Sequence, residues 1–252
     1  MADPDLKGQV AIVTGAGRGI GAAIARRLAD AGATLVVCDL TEEAAEGARA
    51  AAGDESRTMA FHGNLADEEV AGRLVEQVIA RFGKIDILVN NAGGGILRPF
   101  LEHTPATLRE TIDRNLYTTI WCTWHTLPHM KAAGYGRIIN IGADSVRNGL
   151  QWHAGYNAAK GGVHGMMTGL AREFARDGIT VNTIAPCAVQ TKQLEEVLAD
   201  QPELEGPFIS IIPIGRPAAE SEVAGMVAYL AGPDAAFITG QVISVNGGTN
   251  MH

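Results

Sequence analysis

The chain has 252 residues, of which 46% are apolar, 19% charged and 5% aromatic, with 31 glycines. That length can bury a full hydrophobic core without disulfides, and it favours one domain (1–252) over two small ones. Twenty basic residues against 28 acidic ones leave a net charge of −8, which supplies no basic face for a nucleic-acid backbone.

In chain order, Met1-Ala2-Asp3-Pro4-Asp5 is acidic and lacks the basic and apolar regions of a signal peptide. Val10–Val13 is a buried-strand run, followed by a glycine-rich turn and an Ala/Arg/Leu helix from Gly19 to Ala31. Thr34–Cys38 is the next strand, followed by a helix over 42–52. Thr58–Phe61 and a helix over 67–82 continue the alternation. Ile85–Val89 precedes a helical stretch over 105–131, and Arg137–Ile141 and Thr180–Ile184 bracket a helix over 155–176. Cys187 to Ala219, with Pro202, Pro207, Pro213 and Pro217, is irregular and reads as a mobile cover over a substrate, kept solvated by the acidic run from Glu195 to Glu205. Gln241–Val245 closes the series. Near-continuous apolar strands separated by helices predict a doubly wound α/β domain around a parallel sheet. No stretch approaches the ~18 uninterrupted apolar residues of a membrane span. Cys38, Cys122 and Cys187 form no CxxC pair, so neither a disulfide framework nor a zinc site is indicated. The expectation is a soluble, cytoplasmic protein.

The first strand runs into Thr14-Gly15-Ala16-Gly17-Arg18-Gly19-Ile20-Gly21 as a helix begins. Glycines there let the backbone approach a pyrophosphate, whose charge sits on free N–H groups at the helix N-terminus. Asp39 ends the second strand, where a carboxylate either accepts from an adenosine ribose diol or caps the helix starting near Thr41. Either role favours NAD over NADP, because a 2′-phosphate would be repelled. Tyr156 and Lys160 are four apart, hence on one helical face; by themselves they are either ordinary helix surface or, since a cation beside a phenol lowers its pKa, an acid–base pair.

The glycine spacing TGxxxGxG, Asn90-Asn91-Ala92-Gly93 after the fourth strand and Tyr156-Asn157-Ala158-Ala159-Lys160 after the fifth resemble the short-chain dehydrogenase/reductase family, from Lys7 to Gly248. The resemblance implies a Rossmann-like domain with a seven-stranded parallel sheet, a homotetramer, and hydride transfer between NAD and a small alcohol or ketone. It assigns cofactor contacts to Gly15, Gly17, Arg18, Gly19, Ile20, Gly21, Asp39, Leu40, Asn64, Leu65, Asn91, Ala92, Gly93, Tyr156, Lys160, Pro186, Val189 and Thr191. Asn64 stands where the family usually has Asp, and Cys187 where it has Gly. It also implies that Tyr156 exchanges the proton, Lys160 holds the nicotinamide ribose and Asn115 supports a proton-relay water. A serine is expected 13 residues before the tyrosine, but Ala143 stands there; either Ser145 is the surrogate, if the strand's extension carries both on one face, or the substrate brings its own hydroxyl, or catalysis is impaired.

Trp152 and His153 precede the active helix and either wall the substrate pocket or form surface. His125 and His129 flank Pro128 and read as a packed helix rather than a metal pair. Cys187 reads as inert. The resulting expectation is an NAD-dependent dehydrogenase for an alicyclic or ring-bearing alcohol or a cis-diol. The alternatives are a 3-oxoacyl thioester reductase and a catalytically impaired NAD-binding module.

Overall fold

Seven strands, all parallel, form one sheet in the order β3-β2-β1-β4-β5-β6-β7 in the computed structural model. The structure describes residues 4–53, 55–200 and 205–251. Met1, Ala2, Asp3 and Pro202, which entered the sequence reading, lie outside them, as does Glu203 of the acidic run. The strands are β1 (Val10–Thr14), β2 (Thr34–Asp39), β3 (Thr58–His62), β4 (Ile87–Asn90), β5 (Gly136–Ile141), β6 (Ile179–Pro186) and β7 (Val242–Val245). The helices are α1 (Gly19–Asp30), α2 (Glu42–Ala51), α3 (Glu68–Phe82), α4 (Pro105–Ile112), α5 (Thr118–Ala133), α6 (Ser145–Asn148), α7 (Ala154–Phe174), α8 (Lys192–Asp200), α9 (Glu205–Ile209) and α10 (Glu220–Ala231).

Alternate strand residues feed opposite layers, as a period of two requires. Ala11, Val13, Leu35, Val37, Val89 and Ile139 pack with Ile24 and Leu28 of α1 and Val223 and Val227 of α10. Val10, Ile12, Val36, Leu88 and Ile138 pack with Leu74 and Val78 of α3, Met130 of α5 and Met167 of α7. Burial on both faces explains why the strands read as unbroken apolar runs. Because the order reverses between β1 and β4, the carboxyl ends of the central strands open a crevice, the usual ligand position in such sheets.

Four sequence-based boundaries need correction. The helical stretch over 105–131 is two helices joined by a π-helical turn, Asp113–Tyr117. The fourth strand starts at Ile87, because Asp86 turns its carboxylate to the Val10 N–H at 2.7 Å. The irregular segment contains α8 and α9. Past β5 the chain is not extended: Ser145 opens α6, so Ala143 and Ser145 do not share a strand face.

Candidate active site

Gly15 (φ +63°) and Gly19 (φ +58°) occupy left-handed backbone conformations that favour glycine. A Cβ on Gly21 would collide with the Gly15 carbonyl. Arg18, the residue before α1, makes no side-chain cap, which leaves the helix's first-turn N–H groups open for an anion. Asp39 Oδ2 accepts from Gly17 N at 2.8 Å and Oδ1 from Leu40 N at 2.7 Å. The cap of α2 is Thr41, whose hydroxyl accepts from Ala44 N at 3.3 Å, so Asp39 is not the capping residue. Asn91 Nδ2 donates to the Thr14 and Gly15 carbonyls, both at 2.9 Å, and ties the β4 turn to the glycine turn.

These groups border a cavity of about 1030 Å³ along the carboxyl edge of the sheet. Of the cofactor positions expected from sequence, Gly15, Arg18, Gly19, Ile20, Gly21, Asp39, Leu40, Asn64, Leu65, Asn91, Ala92, Gly93, Tyr156, Lys160, Pro186, Val189 and Thr191 line it. Gly17 does not; it packs behind, where a Cβ would press on Asp39. Cys187 also lines the cavity. It sits in ordinary backbone, since Trp152 is the one described non-glycine residue with positive φ. Burial and the Asp144 carboxylate push its thiol up to about 11, so it stays protonated at neutral pH. A dinucleotide fits this set: uncapped N–H groups for a pyrophosphate, a carboxylate for a ribose diol and glycine surfaces that a Cβ would fill.

Ala143, Ser145, His153, Tyr156 and Lys160 line the other end of the cavity. Lys160 Nζ donates to the Ile141 carbonyl at 2.8 Å and lies 5.8 Å from the Tyr156 ring centroid. Burial pushes Lys160 down to about 8 and Tyr156 up to about 12. The expectation that the cation would lower the phenol is therefore reversed, because desolvation of both groups outweighs an ammonium whose hydrogen bond goes to a carbonyl. Asn115, fully buried in the π-turn, donates to the Gly94 and Thr111 carbonyls and accepts from Gly94 N. It holds the wall beside Gly93 and is not on the cavity surface. Ser145 Oγ donates to Asn157 Oδ1 at 2.6 Å, and Asn157 Nδ2 returns a bond to the Ser145 carbonyl at 2.8 Å. Trp152 is not among the lining residues. Its left-handed backbone (φ +65°) makes the turn that presents His153.

Sequence reasoning missed the frame beneath this loop. Asp144, with no exposed surface, accepts from Thr249 Oγ1 at 2.6 Å, Asn246 Nδ2 at 3.1 Å and Ser244 Oγ at 3.3 Å. Arg147 donates to Ser244 Oγ and the Val242 carbonyl. His164 Nε2 accepts from Ala143 N at 3.4 Å, and burial, helped by Arg147 and Lys160, brings its pKa down to about 4. The available signal was Asp144 and Arg147 beside an apolar strand, where an unpaired charge would be costly. His125 bonds Glu68 at 2.6 Å between α3 and α5. Among the described residues no helix is long and apolar enough to cross a membrane.

Sheet order, glycine turn and the Tyr156–Lys160 pair on the cavity wall together define a dinucleotide-dependent oxidoreductase. Comparison with known proteins makes this specific. Residues 15–250 match the family model described as enoyl-(acyl carrier protein) reductase. The chain is 55% identical over 248 residues to 2,3-dihydroxy-2,3-dihydro-p-cumate dehydrogenase of Pseudomonas putida, covering 98% of this chain and 96% of that one. It is 38% identical over 250 residues to the 3-oxoacyl-(acyl-carrier-protein) reductase FabG of Vibrio cholerae, covering 98% and 99%. A solved short-chain dehydrogenase/reductase from Brucella melitensis, titled glucose/ribitol dehydrogenase, superposes with a TM-score of 0.91 at 30% identity over the whole of both chains. The chain belongs to the short-chain dehydrogenase/reductase family and is an NAD(P)-dependent oxidoreductase that interconverts an alcohol and a ketone.

Proposed function

We propose that the protein oxidises a ring-borne secondary alcohol, above all a cis-diol, with NAD. The similarity to the p-cumate dihydrodiol enzyme carries this reading, at 55% identity against 38% for the thioester reductase. When bound, nicotinamide supplies the hydride-accepting carbon. Tyr156 Oη takes the proton that leaves the substrate hydroxyl. Lys160 holds the nicotinamide ribose, Asn115 keeps the Gly93–Gly94 wall in place from behind the cavity surface, and Ser145 faces the reacting oxygen. The 187–219 segment covers the substrate; Leu194, Phe208 and Ile211 on the cavity wall support this role. Incubating the protein with NAD and cyclic cis-diols, cyclic mono-alcohols or 3-hydroxyacyl thioesters tests the substrate class. Nicotinamide absorbance should change with the ring substrates, and turnover confined to thioesters would overturn the reading.

Asp39 sets the cofactor preference by accepting from a 2′-hydroxyl and repelling a 2′-phosphate. Asp39→Asn keeps an acceptor for Gly17 N and removes the charge. The ratio of kcat/KM for NAD over NADP should fall at least about tenfold, the size of a ~1.4 kcal/mol repulsion. An unchanged ratio would assign the preference elsewhere.

We further propose a homotetramer located in the cytoplasm. Trp124 (60% exposed) on α5 and Leu101 (96% exposed) are large apolar groups left open on a single chain. The net charge of −8 is compatible with the location. Light scattering should give four chains per particle; a stable monomer would contradict the assembly.

A further inference from the structure

His153 lines the cavity beside Tyr156, its ring edge-on to Tyr156 at 5.9 Å and to Phe208 at 5.8 Å. Its Nδ1 lies 2.7 Å from the Gln151 carbonyl. A carbonyl can only accept, so Nδ1 carries the proton. Burial lowers the pKa of the ring, opposed by that same bond, so it is neutral at pH 7 and above and Nε2 keeps a bare lone pair. Among the described residues nothing bonds Nε2, although the residue is only 7% exposed. The tautomer is built in: the left-handed turn at Trp152 directs the Gln151 carbonyl onto Nδ1. Such strain on a bulky residue persists only where the surroundings enforce it.

We propose that His153 Nε2 accepts a hydrogen bond from a second, non-reacting hydroxyl of the substrate and so selects ring diols over mono-alcohols. His153 and Tyr156 are three residues apart with their rings in contact, and on that ground we place the second hydroxyl on the carbon next to the reacting one. A thioester or a mono-alcohol would bring no donor to Nε2 of this 7% exposed residue, and a site built to bond a substrate hydroxyl discriminates against the analogue that lacks it. This inference rests on the ring-alcohol reading above and extends it to a residue and a donor.

The test measures NAD-dependent kcat/KM of the full chain on cis-1,2-cyclohexanediol, cyclohexanol and cis-2-fluorocyclohexanol. Fluorine pulls on the neighbouring carbons at least as strongly as the hydroxyl but donates nothing. The wild-type protein should favour the diol over both others by at least about tenfold. His153→Phe should bring the three within about threefold of one another, mainly by raising KM for the diol, and His153→Gln should restore part of the preference. Equal losses on all three substrates in His153→Phe would reduce His153 to a wall and overturn the proposal. So would a wild-type protein that treats the fluoro-alcohol like the diol, a comparison that needs no variant to fold. Turnover of none of the three would overturn the ring-alcohol reading and this proposal with it, whereas ring turnover with an unaltered diol preference in His153→Phe overturns this proposal alone.

Discussion

Tyr156→Phe is expected to reduce turnover by at least about 10³-fold while leaving NAD affinity within about threefold of wild type. The substitution removes one oxygen and keeps the ring that packs against His153 and under Lys160. Positioned proton transfer contributes about 10²–10⁴ in rate, and among the residues lining the substrate end no other hydroxyl stands on α7 beside Lys160. Single-turnover rates and cofactor titrations separate the two effects. Retained turnover would remove Tyr156 from the mechanism.

The pH profile follows from the same burial. With the phenol near 12, Tyr156 is protonated at neutral pH and ready to donate, which suits ketone reduction. Alcohol oxidation needs the rare phenolate, so its kcat/KM should rise between pH 6 and 8, towards tenfold per unit. The rise should slacken above about 8 as Lys160 loses its proton and stops favouring the phenolate. Reduction should not rise over that range. A flat oxidation profile from pH 6 to 8 would show that the proton leaves by another route.

The strands, their parallel packing and the glycine turn were legible because each rests on a local rule. Doubly buried strands must be apolar throughout, and the tight turn at Gly15 and Gly19 needs left-handed backbone. Tyr156 and Lys160 were legible through helical spacing set in the order of the glycine, Asn-Ala-Gly and Tyr-x-x-x-Lys motifs; the spacing alone fits ordinary helix surface equally well. Their ionisation was not: spacing says that a cation is near, whereas the balance between its field and desolvation depends on how much of the chain closes over both groups. The π-turn that buries Asn115 was hidden for a similar reason, since its one-residue offset leaves the apolar rhythm of 105–131 nearly intact. Asp144 was passed over because its partners, Ser244, Asn246 and Thr249, lie about a hundred residues away in sequence. Trp152 and His153 read alike in sequence, yet a backbone turn sends one into the cavity wall and uses the other as its hinge.

Ser145→Ala should lower kcat by about 10², the usual loss for one donor aimed at a developing oxyanion. The position where the family carries its serine holds Ala143, which borders the cavity but has no hydroxyl. Ser145 borders it too, from the first turn of α6 rather than from an extension of β5. Its hydroxyl donates to Asn157 Oδ1 at 2.6 Å, so serving a substrate oxygen requires the hydroxyl to rotate away and leave that acceptor without its donor. Asn157 remains anchored through Nδ2 on the Ser145 carbonyl, so the rotation does not unlatch the loop. A brace and a donor are separable by measurement. If Ser145 only braces α6 against α7, Ser145→Ala lowers Tm and changes kcat by less than about threefold. If it is the donor, kcat falls while NAD affinity and Tm stay close to wild type. Ala143→Ser supplies the complementary arm. Alone it should change kcat by less than about threefold, because a donor is already present. Combined with Ser145→Ala it should recover most of the lost rate, a strong coupling between two positions that serve one atom. A large gain from Ala143→Ser in the otherwise wild-type chain would give the opposite result: Ser145 does not serve the reacting oxygen, and the chain works as an impaired member of its family.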